Sequence, residues 1–166
     1  MATSRGNQLA QEIRQKVAAL KQVCRGVDEN LASLAPTDRW SPKQILSHLC
    51  GPEDVGHLPI LMAFVDSDTP MIDLVTGNPF FTDNRAHMSV SELVAVCEMN
   101  YQRIANFAAE LTEGQLARKA HIPKLKDSPL GEYPTLKGMI DVLGAYHVQD
   151  HIDHLREIMA ALSSNR

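Results

Sequence analysis

Over residues 135–162 apolar side chains recur every three or four positions, and histidine holds two of the places they should fill. Leu136, Ile140 and Leu143 lead to His147 and His151 before Leu155, Ile158 and Leu162 resume the series. That spacing predicts an amphipathic helix with one face turned to a core. His147 and His151 lie one helical turn apart, so their imidazoles leave the same face. A neutral imidazole in an apolar seam has a donor and an acceptor to satisfy, which calls for a polar partner or a metal ion.

Three further stretches carry helical spacing. The first covers about residues 7–34, with Ile13, Val17, Leu20, Cys24, Val27, Leu31 and Leu34 in one seam. The second opens at Trp40-Ser41-Pro42-Lys43, where Ser41 suits the N-cap and Pro42 the first helical position. Its inward face is Ile45, His48 and Leu49, while Pro52 and Pro59 predict a kinked or interrupted helix to about residue 65. The third starts at a Ser89–Glu92 capping box and places Leu93, Cys97, Tyr101, Ile104, Ala108 and Leu111 on one side.

Between these helices lie two irregular stretches. Residues 66–88 are rich in Asp, Pro, Gly and Asn, and such a long connection should pack over one end of the helices. Within it, Phe80 and Phe81 are expected to anchor the connection in the core, with a pocket mouth as the other reading. Residues 115–133 hold a short extended piece near 119–122. These expectations combine into a single all-α domain over residues 1–166, an up-down-type four-helix bundle with long irregular connections between helices 2 and 3 and between helices 3 and 4.

The bulk numbers exclude several functions. At 166 residues the chain can build one substantial core without disulfides. A formal charge of −4, with Lys and Arg scattered, argues against a nucleic-acid surface. There is neither an apolar run long enough to span a membrane nor a signal-peptide pattern at the N-terminus. Cys24, Cys50 and Cys97 form no CxxC and no paired framework, which fits a reducing cytoplasm. Cys50 falls on a different side of its helix from His48 and is a poor ligand candidate.

His48 supplies a third inward imidazole from another helix. Bundles build metal sites from side chains on facing helices, and three imidazoles leave a zinc-like ion one open position, as in catalytic sites. The chain contains no Glu-x-x-His for a ferritin-like di-iron site and no His-Glu-x-x-His for a zincin. His154 shares the face of His147 and His151 but lies too far along the axis for all three to meet one ion easily. It is expected to line the site. His57, extrapolated along the second helix, falls on the side opposite His48, and it is expected to face solvent with His87 and His121.

Two segments resemble a known family. Trp40-Ser41-Pro42-Lys43-Gln44-Ile45-Leu46-Ser47-His48-Leu49, followed by Glu53, is similar to the second-helix signature of the DinB/YfiT-like superfamily. His147-Val148-Gln149-Asp150-His151-Ile152 resembles its last-helix signature, with His154 where that family often has Gln or His. The resemblance implies a four-helix bundle with a divalent metal, often zinc or nickel, held by His48, His147 and His151. It implies homodimers, a small-molecule substrate, and in some members a low-molecular-weight thiol (bacillithiol or mycothiol) as co-substrate. Pro52 and Pro59 depart from the smooth second helix of that pattern.

The chemistry expected of such a site is thiol-dependent S-transfer, with metal-dependent hydrolysis or a non-catalytic metal- or ligand-binding role as alternatives. A metal held by neutral imidazoles lowers the pKa of a bound water or thiol. Glu53, Asp150 and His154 are the candidates for orientation or proton transfer.

Overall fold

Where the helices begin follows from their capping residues. In this computed structural model, which describes residues 3–164, Thr3 accepts from the Gly6 N–H and opens α1 (Ser4–Cys24). Asp28 caps the short α2 (Glu29–Ala32). Ser41 and Gln44 form a reciprocal capping box at α3 (Pro42–Cys50), and Pro59 sits in the first turn of α4 (Leu58–Asp66). Thr82 caps α5 (Asp83–His87), and Ser89 with Glu92 boxes α6 (Val90–Glu110). Thr112 caps α7 (Glu113–Leu116) and Thr135 caps α8 (Leu136–Asp141). A π-helical turn, Val142–Tyr146, carries α8 into α9 (His147–Ser164). Each side-chain cap contributes about 1 kcal/mol.

Two of the expected helices are broken. The first ends at Cys24, and the chain bends before α2 begins at Glu29. The second stops at Gly51, whose φ of 73° ends α3 in a conformation that favours glycine. A Cβ there would lie 2.9 Å from the Gly56 backbone and 3.0 Å from the His57 ring. Pro52 therefore falls beyond the helix end, and Pro59 opens α4 where its missing N–H costs nothing. His48 keeps an undistorted place in the last turn of α3.

The architecture is an all-α bundle of α1, α3 with α4, α6, and α8 running into α9. α1 and α6 are antiparallel: Thr3 donates to the Leu111 carbonyl at 3.3 Å, and Lys21 pairs with Glu98 at 2.7 Å. α1 and α9 run the same way, with Lys16 bonded to Gln149 at 2.8 Å and Ile13 packed on Gly144. Glu29 accepts from the Val90 N–H at 2.8 Å and pairs with Lys43 at 3.2 Å, joining the starts of α3 and α6. Further along, Asn100 donates to the Cys50 carbonyl at 2.9 Å. α3 and α6 are thus parallel, and the four directions read up, down, down, up instead of alternating. A parallel step needs a connection that returns along the helix, and residues 67–89 are long enough to supply it.

The two long connections are knit together over one end of the bundle. The Ile72 N–H donates to the His121 carbonyl, and the His121 N–H donates to the Pro70 carbonyl, each at 2.9 Å. Isolated bridges pair Met71 with His121 and Lys119 with Thr135, which accounts for the extended piece expected near 119–122. Phe80 and Phe81 are half-buried instead of anchored in the core, and Phe80 lines a cavity, as the pocket-mouth reading has it.

The π-helical turn takes up one residue more than a regular turn would, so it re-phases everything after it. Gly144, Val148, Ile152, Leu155 and Ile158 form the fully buried seam. His147 and His151 stand one position to the side, half-buried and facing α3. Gly144 permits this packing, because a Cβ there would come within 2.6 Å of Ile13 Cγ1. Among the described residues no helix is long and apolar enough to cross a membrane.

Candidate metal centre

The last turn of α3 and the first turns of α9 bring three imidazoles to one point. One ring nitrogen from each of His48, His147 and His151 lies within 4.8 Å of the others, and the group contains no carboxylate or thiol. Ring centroids are 4.9 Å apart for His48–His147, 4.7 Å for His48–His151 and 4.7 Å for His147–His151. His48 Nε2 and His147 Nε2 approach to 2.8 Å.

His48 is oriented from outside the cluster. Its Nδ1–H donates to the Asn78 carbonyl at 2.6 Å, which fixes the tautomer and leaves a lone pair on the inward Nε2. The Asn78 side chain accepts from the Phe80 N–H at 2.7 Å, closing a tight turn around that carbonyl. Phe80 adopts a φ of 49°, rare for an aromatic residue, and its ring lies parallel to His48 at 6.3 Å. Trp40 flanks His48 from the other side, with centroids 5.0 Å apart.

The environment keeps these imidazoles neutral. Burial pushes His147 down to about 2, helped by His151, His48 and His57, and burial with His48 and His154 brings His151 to about 4. Burial also lowers His48, against the opposing pull of its bond to Asn78. Neutral imidazoles are the ligating form. The Nδ1 atoms of His147 and His151 are buried without a hydrogen-bond partner. One tautomer of His147 lets its Nε2–H donate to His48 Nε2, yet the ring nitrogens left without a partner make the cluster a fit for a divalent cation.

His57 is a correction to the sequence reading. It is 7% exposed, not solvent-facing, because α3 ends at Gly51 and the chain turns back before α4. Its Nε2–H donates to the His48 carbonyl at 3.2 Å, and its ring stands 6.0 Å from His147. Burial takes it down to about 4. His121 is also partly enclosed: it bonds Glu132 at 2.8 Å and stacks on Tyr133. His87 is exposed, as expected.

Of the other candidates, His154 makes a ring contact with the cluster. Glu53 accepts from Asn84 at 2.9 Å, and that bond, with Thr82 and Arg85 nearby, holds its carboxyl below the usual range. His154 sits 5.8 Å from His151 by ring centroids, in a shallow depression with Asp38, Arg39 and Trp40. Partial burial and the Arg39 charge lower it. Asp150 is exposed on α9. Cys50 points away from His48 into the core, where its sulfur lies 2.9 Å from that of Cys97.

Sequence reasoning missed Arg85, which is 2% exposed and donates to the carbonyls of Ser47, Gly51 and Phe80. It clamps the end of α3 to the 78–82 turn, so the helix bearing His48 and the carbonyl orienting it move as one piece. A charge in a short helical turn gives no sequence signal of that role. Asn78-Pro79 was a visible turn signal, but the target of its carbonyl was not.

A four-helix bundle with three imidazoles converging between facing helices defines the class of this chain. The fold is shared with a solved four-helix bundle. It is similar to the structure of YfiT from Bacillus subtilis, described as a probable metal-dependent hydrolase with an unusual four-helix bundle topology. The TM-score is 0.76 at 18% identity, covering 98% of this chain and 90% of that one. No protein-family model and no curated protein sequence matches the chain.

Proposed function

We propose that the chain is a divalent-metal-dependent enzyme whose centre is held by His48, His147 and His151, and that hydrolysis of a small molecule is its reaction. The observation that carries this reading is the convergence of three neutral ring nitrogens within 4.8 Å. The description of YfiT as a probable metal-dependent hydrolase supports it. Zinc or nickel suits the all-nitrogen donor set. Bound there, the ion supplies a Lewis acid that lowers the pKa of a ligated water or thiol.

The protein's own groups orient and exclude. The Asn78 carbonyl holds the His48 tautomer, and Trp40 and Phe80 fence the rings. His57 commits Nε2–H to the His48 carbonyl, which leaves Nδ1 to accept a proton beside the cavity. Glu53 acts indirectly, by steadying the 82–85 turn, and His154 serves the rim. The same donor set would also activate a thiol, so S-transfer with a low-molecular-weight thiol is the second reading. A homodimer in a reducing compartment completes the proposal, in keeping with three free buried thiols.

Chelated protein should regain ester hydrolysis on adding zinc or nickel, and His147→Ala should abolish it. If a thiol with an electrophilic acceptor is turned over instead, the transferase reading replaces the hydrolase. If neither reaction responds to metal, both fall.

A further inference from the structure

Beside the histidine cluster lies a cavity of about 530 Å³, lined by His48, His57 and His147 together with Ile60, Leu74 and Leu143. A second cavity of about 450 Å³ is lined by Pro129, Leu130, Gly138 and Tyr146. Leu125 and Val142 line both, so the two cavities adjoin across that pair. Val142 opens the π-helical turn and Leu125 ends a 3₁₀ turn (Pro123–Leu125), so both belong to defined local structure.

We infer that the substrate is an amphiphile with an extended apolar chain, its reactive polar head at the imidazoles and its tail running past Leu125 and Val142 into the second cavity. This rests on reading the cluster as the reaction centre. The volumes fall in the range of small-molecule sites, and their walls are nearly all apolar. No Lys or Arg lines either cavity. Of the two acids present, Asp73 is exposed and Asp141 is paired with Lys137. A carboxylated or sugar-rich ligand would lose hydration along these walls with nothing to replace it. An unbranched aliphatic chain has no polar hydration to lose there and gains from each methylene it buries.

Binding of n-alkyl hydroxamates, from acetohydroxamate to decanohydroxamate, to the zinc-loaded protein tests this. Trp40, the chain's single tryptophan, lies 5.0 Å from His48 by ring centroids and reports binding by fluorescence. Affinity should tighten about fourfold per methylene until the tail site is filled. In Leu130→Trp, which carries a second tryptophan and is therefore read by calorimetric titration, and whose folding is checked by its melting curve, the gain should stop at a shorter chain. Length-independent binding, or an unchanged length limit in Leu130→Trp, overturns the inference. Should that variant not fold, Pro129→Trp blocks the same cavity. A parallel series of n-alkanols on metal-free protein separates the two readings. If hydroxamates fail but alkanols still tighten with length, the metal centre falls and the tail site stands. Short and long alkanols binding alike, with hydroxamates equally flat, overturns the tail site.

Discussion

His48 Nε2 and His147 Nε2 face each other at 2.8 Å from opposite helices. Neither nitrogen has reached that position by its own packing alone. The Asn78 carbonyl aims one ring, and the π-helical turn before His147 aims the other. The cluster is therefore oriented by backbone features adjoining its histidines, and those features can be tested separately.

Asn78→Ala removes the side-chain bond to the Phe80 N–H and loosens the turn that presents the carbonyl to His48. Metal affinity should fall about tenfold, the lower end of what loss of a ligand-orienting group costs, with the fold retained. Calorimetric titration with zinc, beside a circular dichroism spectrum, checks both parts.

Gly144→Ala forces a Cβ to within 2.6 Å of Ile13 Cγ1, in a buried contact. Overpacking of this kind should cost about 1–3 kcal/mol in urea denaturation. Ile13→Ala makes room for the new methyl, so the double variant should be more stable than the sum of the single losses predicts.

Arg85→Met leaves the Ser47, Gly51 and Phe80 carbonyls without their buried donor. Removing one charged partner from such a network should destabilise the protein by about 3 kcal/mol, read as a lowered denaturation midpoint. Zinc affinity should fall with it, since the same clamp holds the Asn78 turn to α3.

The fold was legible where local chemistry decides it. The caps at Ser41 and Ser89 and the seams of α1 and α6 stand in the structure as the residues predict. Local spacing could not reveal events between elements. The break at Gly51 reverses the side on which His57 lies, and extrapolating one helix through it sent that residue to solvent. An extra residue in the π-helical turn moved His147 and His151 beside the seam, a phase change that three-and-four spacing cannot register. The parallel step from α3 to α6 depends on how residues 67–89 return, which their composition does not encode. The three candidate ligands come together because His48 precedes the break and the later pair follows the phase change together.

Metal-free protein should lose stability as the medium is acidified. Burial depresses His57 and His151 to about 4 and His147 to about 2, against about 6.5 for an unfolded histidine. Above pH ~6.5 both states are neutral and this stability is fully present. As pH falls from there, the unfolded chain takes up protons first, and the loss continues until the folded-state values are reached. Urea denaturation at stepped pH should show this slope, and His147→Gln should make it shallower, with His57 and His151 still contributing.

The most direct measurement is metal stoichiometry on protein purified without a histidine tag, by zinc titration and elemental analysis. One ion per chain is expected in the wild type, with saturable binding lost in each of His48→Ala, His147→Ala and His151→Ala. Absence of stoichiometric binding in the folded wild type, or its survival in all three variants, would contradict a metal centre at these histidines.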